Sequence, residues 1–393
     1  MKTGKPEILS EMNKKLILDC LRKNGPQSRA DIKRELGLSF PTVSSNVKAL
    51  IESELIFENG ISDNSMGKKG TLLEFNSKKG FVLGIDMGRS HIRMIICDIS
   101  GNIICSSVSD QYTQQATQGV LHQIDDEFEK ILKMGNITKS DLRYISIGIP
   151  GIVDELEGKH RLAPFMEPFK DIRLDLYMKD KYNINTVCGN SVDFGAIGEK
   201  WRGAGQQYQN IIYINYSIGL GCALILNGEL YCGANGAAGE VGYMLPGTQF
   251  ERDVYDEEGV MEKLVAGLEL ERRMITQKGL PYSSIKELFE HEDDKNFMGK
   301  EMISEIKIHI ALMLVNLVSI INPQVIIIGG GIGKQLAIKY ADYFEKYLSL
   351  HVPYVPHIVP TKLDEKANLL GAVAYALRYI HKDYASLEII KKH

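Results

Sequence analysis

The chain carries one strand-and-turn pattern twice, and that repeat limits its fold more than any other feature. Residues 81–104, FVLGIDMGRSHIRMIICDISGNII, read as strand, glycine turn, strand, tight SGN turn and strand. Residues 211–231, IIYINYSIGLGCALILNGELY, read the same way with NGE as the tight turn. A hairpin unit recurring in two halves of a chain predicts two similar lobes with a cleft between them. Each glycine turn can offer backbone N–H groups to an anion in that cleft. The linking segments supply a helix (VLHQIDDEFEKILKM), a buried strand entering a Pro-Gly turn (YISIGIPGIVD) and a long apolar helix. A further buried strand then runs into Gly329-Gly330-Gly331, and ANLLGAVAYAL reads as a final apolar helix. Glycines between a strand and a helix either approach a nucleotide or let the helix pack closely on its sheet.

The first 78 residues follow a different pattern. KKLILDCLRKNGPQS places Leu16, Ile17, Cys20 and Leu21 on one helical face and stops at Gly25-Pro26. A short helix follows, with Ser28 as cap, Ala30, Ile32 and Leu36 as apolar contacts and Gly37 as its end. A third helix starts from a Ser39 cap with Pro41 in its first turn. Val43, Val47 and Leu50 face inward at i, i+4 and i+7. Pro41, Ser44, Ser45 and Lys48 face outward, with Thr42 at the flank. Hydroxyls on such a face can touch base edges and a lysine can meet phosphate. LIFENG and KGTLLEFN then form a hairpin whose tip carries Lys68 and Lys69. Three helices and a basic hairpin predict a winged helix-turn-helix that binds double-stranded DNA.

Charge agrees with this division. Residues 1–80 hold 14 Lys/Arg against 10 Asp/Glu, which leaves 32 against 40 for the rest of the chain's 46 and 50. A basic front on an acidic body fits a DNA-binding module on a metabolite-binding one. Six cysteines are scattered without a CxxC pair, which excludes a disulfide framework or zinc knuckle. No apolar run reads as long enough to span a membrane, and the N-terminus lacks an apolar signal core, so the expected location is the cytoplasm.

The segment CGNSVDFGAIGE, residues 188–199, is a strand end, a polar turn and a helix start, where enzymes often keep an acid or base. With GIDMGRS, IGIPGIVD, ILNGELYCGANGAAGEVG and INPQVIIIGGG behind a winged helix, it resembles the ROK family of repressors and sugar kinases over nearly the whole chain, and its repressor branch most. The resemblance implies an α/β protein in which a winged helix-turn-helix precedes a two-lobed actin-like, sugar-kinase-type (ribonuclease H-like) body. The domains would be 1–78 and 79–393. One lobe would hold about 79–190 plus the C-terminal helix, and the other about 191–370. It also implies a homodimer or homotetramer.

The same resemblance bears on the site. Kinases of the family carry a pattern like Asn-Asp-Ala-Asn ahead of an Ala-Leu-Gly-Glu helix. Here Asn190 matches the first Asn, Ser191 falls on the catalytic Asp and Asp193 on the second Asn. A serine hydroxyl cannot accept the proton of an attacking sugar hydroxyl near neutral pH, so no catalytic residue is assigned. Asp193, about 200° round the helix, reads as an N-cap or first-turn acid. The first phosphate hairpin keeps Asp86, Gly88 and Ser90 but has Arg89 in place of a glycine. The second keeps Gly219 and Gly221 with Ser217 beside them. Asp86 could hold magnesium only if a nucleotide binds. The family's zinc pattern is broken: Tyr243 stands in the histidine position, Val260 in that of the last ligand, and residues 244–262 hold no cysteine. Asn190, Glu240 and Glu262 match sugar-contacting positions, Ser191 and Tyr243 replace two others, and Phe165 stands where a polar Asn is usual. The expected protein is therefore a repressor of carbohydrate genes with a sugar or sugar-derivative effector, without cofactor. The alternative is an ATP-dependent sugar kinase with an accessory DNA-binding domain.

Overall fold

The computed structural model describes residues 6–61, 70–88, 91–109, 117–154, 159–162, 172–250, 259–294 and 298–384. The N-terminal unit comprises α1 (Pro6–Asn24), β1 (Gln27–Ser28), α2 (Arg29–Leu36), α3 (Phe40–Glu52), β2 (Ile56–Ile61) and β3 (Thr71–Phe75). Ser28 and Asp31 form a reciprocal capping box on α2, and Gly37 ends it at φ 67°, a left-handed conformation that favours glycine. Ile17, Leu18, Cys20, Leu21, Ile32, Val43, Val47, Leu50 and Leu73 fill the core. Two expected contacts are corrected. Leu16 is 45% exposed, because packing on α3 and β3 turns Ile17, Leu18 and Leu21 inward instead. Ala30 is exposed too. The short β1 adds an unforeseen strand, giving a sheet of order β1-β3-β2.

The first lobe contains β4 (Phe81–Met87), β5 (Ile92–Asp98), β6 (Ile103–Val108), α4 (Thr117–Gly135), β7 (Leu142–Ile149), β8 (Ile152–Asp154), β9 (Lys159–Leu162), α5 (Leu174–Tyr182) and β10 (Thr186–Asn190). After α6 (Ser191–Arg202) the second contains β11 (Ile211–Tyr216), β12 (Leu220–Leu226), β13 (Glu229–Tyr231), α7 (Val260–Val265), α8 (Gly267–Arg273), α9 (Ile285–Glu290), α10 (Lys300–Ile321), β14 (Val325–Gly329), α11 (Gly333–Ser349) and β15 (His357–Pro360), and α12 (Ala367–Tyr384) closes the described chain. The sheet orders are β10-β7-β4-β5-β6 and β15-β14-β11-β12-β13. In each, three antiparallel strands are followed by two that run parallel to the first. The repeat seen as hairpins in the sequence thus extends to all five strands of each lobe.

The layers run from α4 and α5, through the first sheet, then α12 and α6, to the second sheet and α10 and α11. One expectation is corrected here. Lys300–Ile321, 22 residues, is long and apolar enough to cross a membrane by length and composition. Here it is a core helix, with Ile306, Ile310, Leu314 and Val318 buried against the second lobe. No disulfide joins the six cysteines.

The two central helices touch through glycine. A Cβ on Gly371 would collide with the carbonyl oxygen of Phe194, and one on Gly198 with that of Ala367. Helix axes this close leave no room for a methyl group. Gly371→Ala should therefore cost about 3 kcal/mol or more, read as a lowered urea midpoint. Gly331→Ala, which meets nothing within 4 Å, should leave the midpoint almost unchanged.

Candidate functional site

On the N-terminal unit, α3 presents the expected face. Ser39, Pro41, Ser45 and Lys48 are exposed, Thr42 and Ser44 are half-buried, and Val43, Val47 and Leu50 are buried beneath them. Several of the polar groups already have local partners. Ser39 Oγ accepts from Thr42 N at 3.2 Å and lies 2.7 Å from Thr42 Oγ1. Ser45 Oγ donates to Thr42 O at 3.1 Å, and Lys48 faces Glu52 at 3.9 Å. Lys68 and Lys69 lie outside the described residues, as do Arg89, Ser90 and Phe165.

In the body, Asn190 ends β10 and caps α6. Its Oδ1 accepts from Val192 N at 2.7 Å and its Nδ2 donates to Gly151 O at 3.0 Å, tying the helix start to the Pro-Gly turn. Ser191 is the first residue of α6 and is buried, with its Cα packed near Gly148. Asp193 occupies the first turn, as expected of a helix-start acid. Burial pushes the Cys222 thiol up, and the charges of Asp193 and Glu240 add to the rise.

The structure brings together Gly219, Glu240 and Glu262. Glu262, in the first turn of α7, accepts from Leu220 N at 3.4 Å. A Cβ on Gly219 would sit 2.9 Å from one Glu262 oxygen, and a Cβ on Gly242 would sit 3.1 Å from the other. Glu262 therefore joins the second hairpin turn to the segment holding Glu240 and Tyr243. Tyr243, half-buried, donates its backbone N–H to Glu240 O at 3.2 Å. Burial and then the neighbouring Glu262 charge push the Glu240 carboxyl up to about 7.

The hairpin turns also take part in packing. A Cβ on Gly221 would sit 2.6 Å from Val192 Cγ2, so this glycine lets α6 approach β12. The carbonyls of Ser217 and Ile218 accept from Gly267 N and Leu268 N at the start of α8. In the first hairpin Gly88 N donates to His91 O at 3.0 Å. Asp86 is buried, accepts from Asn368 Nδ2 at 3.3 Å and faces Arg93 Nη1 at 3.9 Å. Burial pushes its carboxyl up to about 6, opposed by Arg93. The sequence reading missed Arg93 and Asn368. Their only signals were a base within an apolar strand and an amide opening an apolar helix.

Comparison with known proteins bears on the whole chain. The sequence pattern described as ROK family matches residues 82–379, and that described as winged helix-turn-helix DNA-binding matches residues 13–56. A protein called xylose repressor from Bacillus subtilis (strain 168) is 31% identical over 334 residues, 83% of each chain. Another of that name from Caldicellulosiruptor bescii is 27% identical over 392 residues, 95% of this chain and 97% of its own. Among solved structures, a ROK family transcriptional regulator described as a homolog of the E. coli MLC protein superposes with TM-score 0.77 at 20% identity, over 94% of this chain and 96% of its own. The ROK hexokinase from Thermus thermophilus gives 0.65 at 21% identity, over 77% of this chain and 99% of its own.

The Glu240 carboxyl titrates near 7 in the folded chain and near 4.5 when unfolded. Between these values the folded chain holds more protons, so its stability falls as pH rises through the window. The penalty is absent below the lower value and complete above the upper one. Glu240→Gln should match the parent at the acidic end and gain up to roughly 3 kcal/mol at about pH 8, measured by thermal unfolding at both.

Proposed function

We propose that this chain, which belongs to the ROK family, is a cytoplasmic DNA-binding repressor of carbohydrate genes whose body takes a sugar or sugar derivative as effector. One observation carries the reading. A winged helix with its reading face exposed is joined to a two-lobed kinase-type body whose α6 opens on a buried Ser191 instead of a carboxylate. The names of the two xylose repressors support the ligand class. Carboxylates at Glu240 and Glu262 can accept hydrogen bonds from neighbouring hydroxyls, as a sugar requires. Tyr243 and the lack of cysteine in 244–262 do not fit a zinc ion, and Arg93 beside Asp86 does not favour magnesium.

The arrangement offers a route from effector to DNA. Asn368 of α12 meets Asp86 in the first-lobe hairpin. The apolar core beneath the same helix includes Phe75, which also packs into the winged core. A sugar that closes the lobes would move α12, and so the winged unit, if it binds one lobe arrangement more tightly than the other. A symmetric homodimer reading a pseudo-palindromic operator follows from the small reach of one recognition helix. The test is fluorescence anisotropy on DNA from upstream of its own gene, at fixed salt, against a panel of sugars, amino sugars and sugar phosphates. One compound should alter specific binding. Glu240→Ala should abolish that response and leave DNA binding intact, and an unchanged response would remove Glu240 from the site.

The kinase alternative rests on Asp193, the carboxylate in the first turn of α6. We expect no ATP-dependent phosphorylation of any hexose above the level of Asp193→Ala, followed by coupled assay. Turnover that this substitution abolishes would establish the kinase instead.

A further inference from the structure

We infer that Phe40 is a sequence-reading residue, its ring meeting the 5-methyl group of a thymine in the major groove. The inference rests on the DNA-binding reading above and adds a residue to it. Phe40 is the first residue of α3 and half of its surface is exposed. Pro41, beside it, is exposed as well. In a helix-turn-helix unit the N-terminal residues of the second helix of the motif meet the base edges.

The polar groups at this end are held by the helix itself. Ser39 Oγ caps Thr42 N and pairs with Thr42 Oγ1. Thr42 O accepts from both Ser45 Oγ and Asn46 Nδ2, at 3.1 and 2.7 Å. Ser10 Oγ in turn donates to Asn46 Oδ1 at 3.0 Å. Redirecting the Ser39 hydroxyl to a base would break the cap of α3. What the leading end offers without rearrangement is an apolar edge, Phe40 and Pro41. Apolar side chains read thymine through its methyl group, a feature that cytosine lacks. The winged core does not need this ring, since Val43, Val47 and Leu50 complete the inner face of α3.

The full chain first selects its own duplex from a random-sequence pool. Each thymine of the selected half-site is then replaced in turn by uracil, which removes only the methyl group. Dissociation constants are read by anisotropy at one salt concentration. At least one replacement should weaken wild-type binding by on the order of fivefold. Phe40→Ala should weaken binding to the thymine duplex by a similar factor and no longer distinguish thymine from uracil there. Phe40→Leu, still apolar, should keep part of the discrimination. Wild-type indifference to every replacement, or full discrimination retained by Phe40→Ala, overturns the assignment and leaves the repressor reading intact. A selection that enriches no sequence overturns that reading and this inference with it.

Discussion

The contact between α6 and α12 is the constraint on which the rest of the body depends. Each helix covers one sheet, α12 the first and α6 the second, and the two meet back to back where Gly198 and Gly371 admit the other helix's backbone. Separation of this pair would expose both inner sheet faces to water. The pair also places the site. Asn190 and Ser191 open α6, and Asn368 beside Asp86 opens α12, so both halves of the cleft are positioned by one helix crossing.

Glu199 holds the far end of that crossing. Its carboxylate is fully buried and accepts from Ala204 N, Thr361 Oγ1, Lys362 N and Leu363 N. A buried carboxylate is tolerable only when its lone pairs are met in this way. The bonds anchor the segment that leads from β15 into α12. Lys334–Asp364 and Arg93–Glu365 ion pairs extend the anchorage to α11 and β5. Movement of one lobe against the other must therefore act through α6, α12 and this short strap.

Much of this was legible in the sequence, for local reasons. Caps at Ser28 and Ser39 and the inward spacing of Val43, Val47 and Leu50 depend on residues within a turn or two of each other. The paired hairpins carry their own turn residues, and Asn227 and Gly228 adopt the left-handed conformations that a tight turn demands. What failed was assignment that needed a distant neighbour. Leu16 and Ala30 sit among apolar residues in sequence but face outward, because α3 and β3 cover the other side of α1 and α2. The close approach of Val192 of α6 to Gly221 likewise had no signal in the local sequence.

By itself, then, the sequence determined the winged unit, the doubled lobe and the residue types at the cleft, since periodicity, caps and turn chemistry act over short chain distances. The resemblance to the family's kinases implies that Ser191 stands at the position of their aspartate. Only the tertiary structure decided which charges meet. Burial, and then the charge of Glu262, 22 positions on, pushes the Glu240 carboxyl up to about 7. Asp86 meets Asn368 and Glu199 meets Thr361 across 282 and 162 positions. Such pairs depend on how sheets and helices pack, and no local pattern in the chain encodes the distance between them.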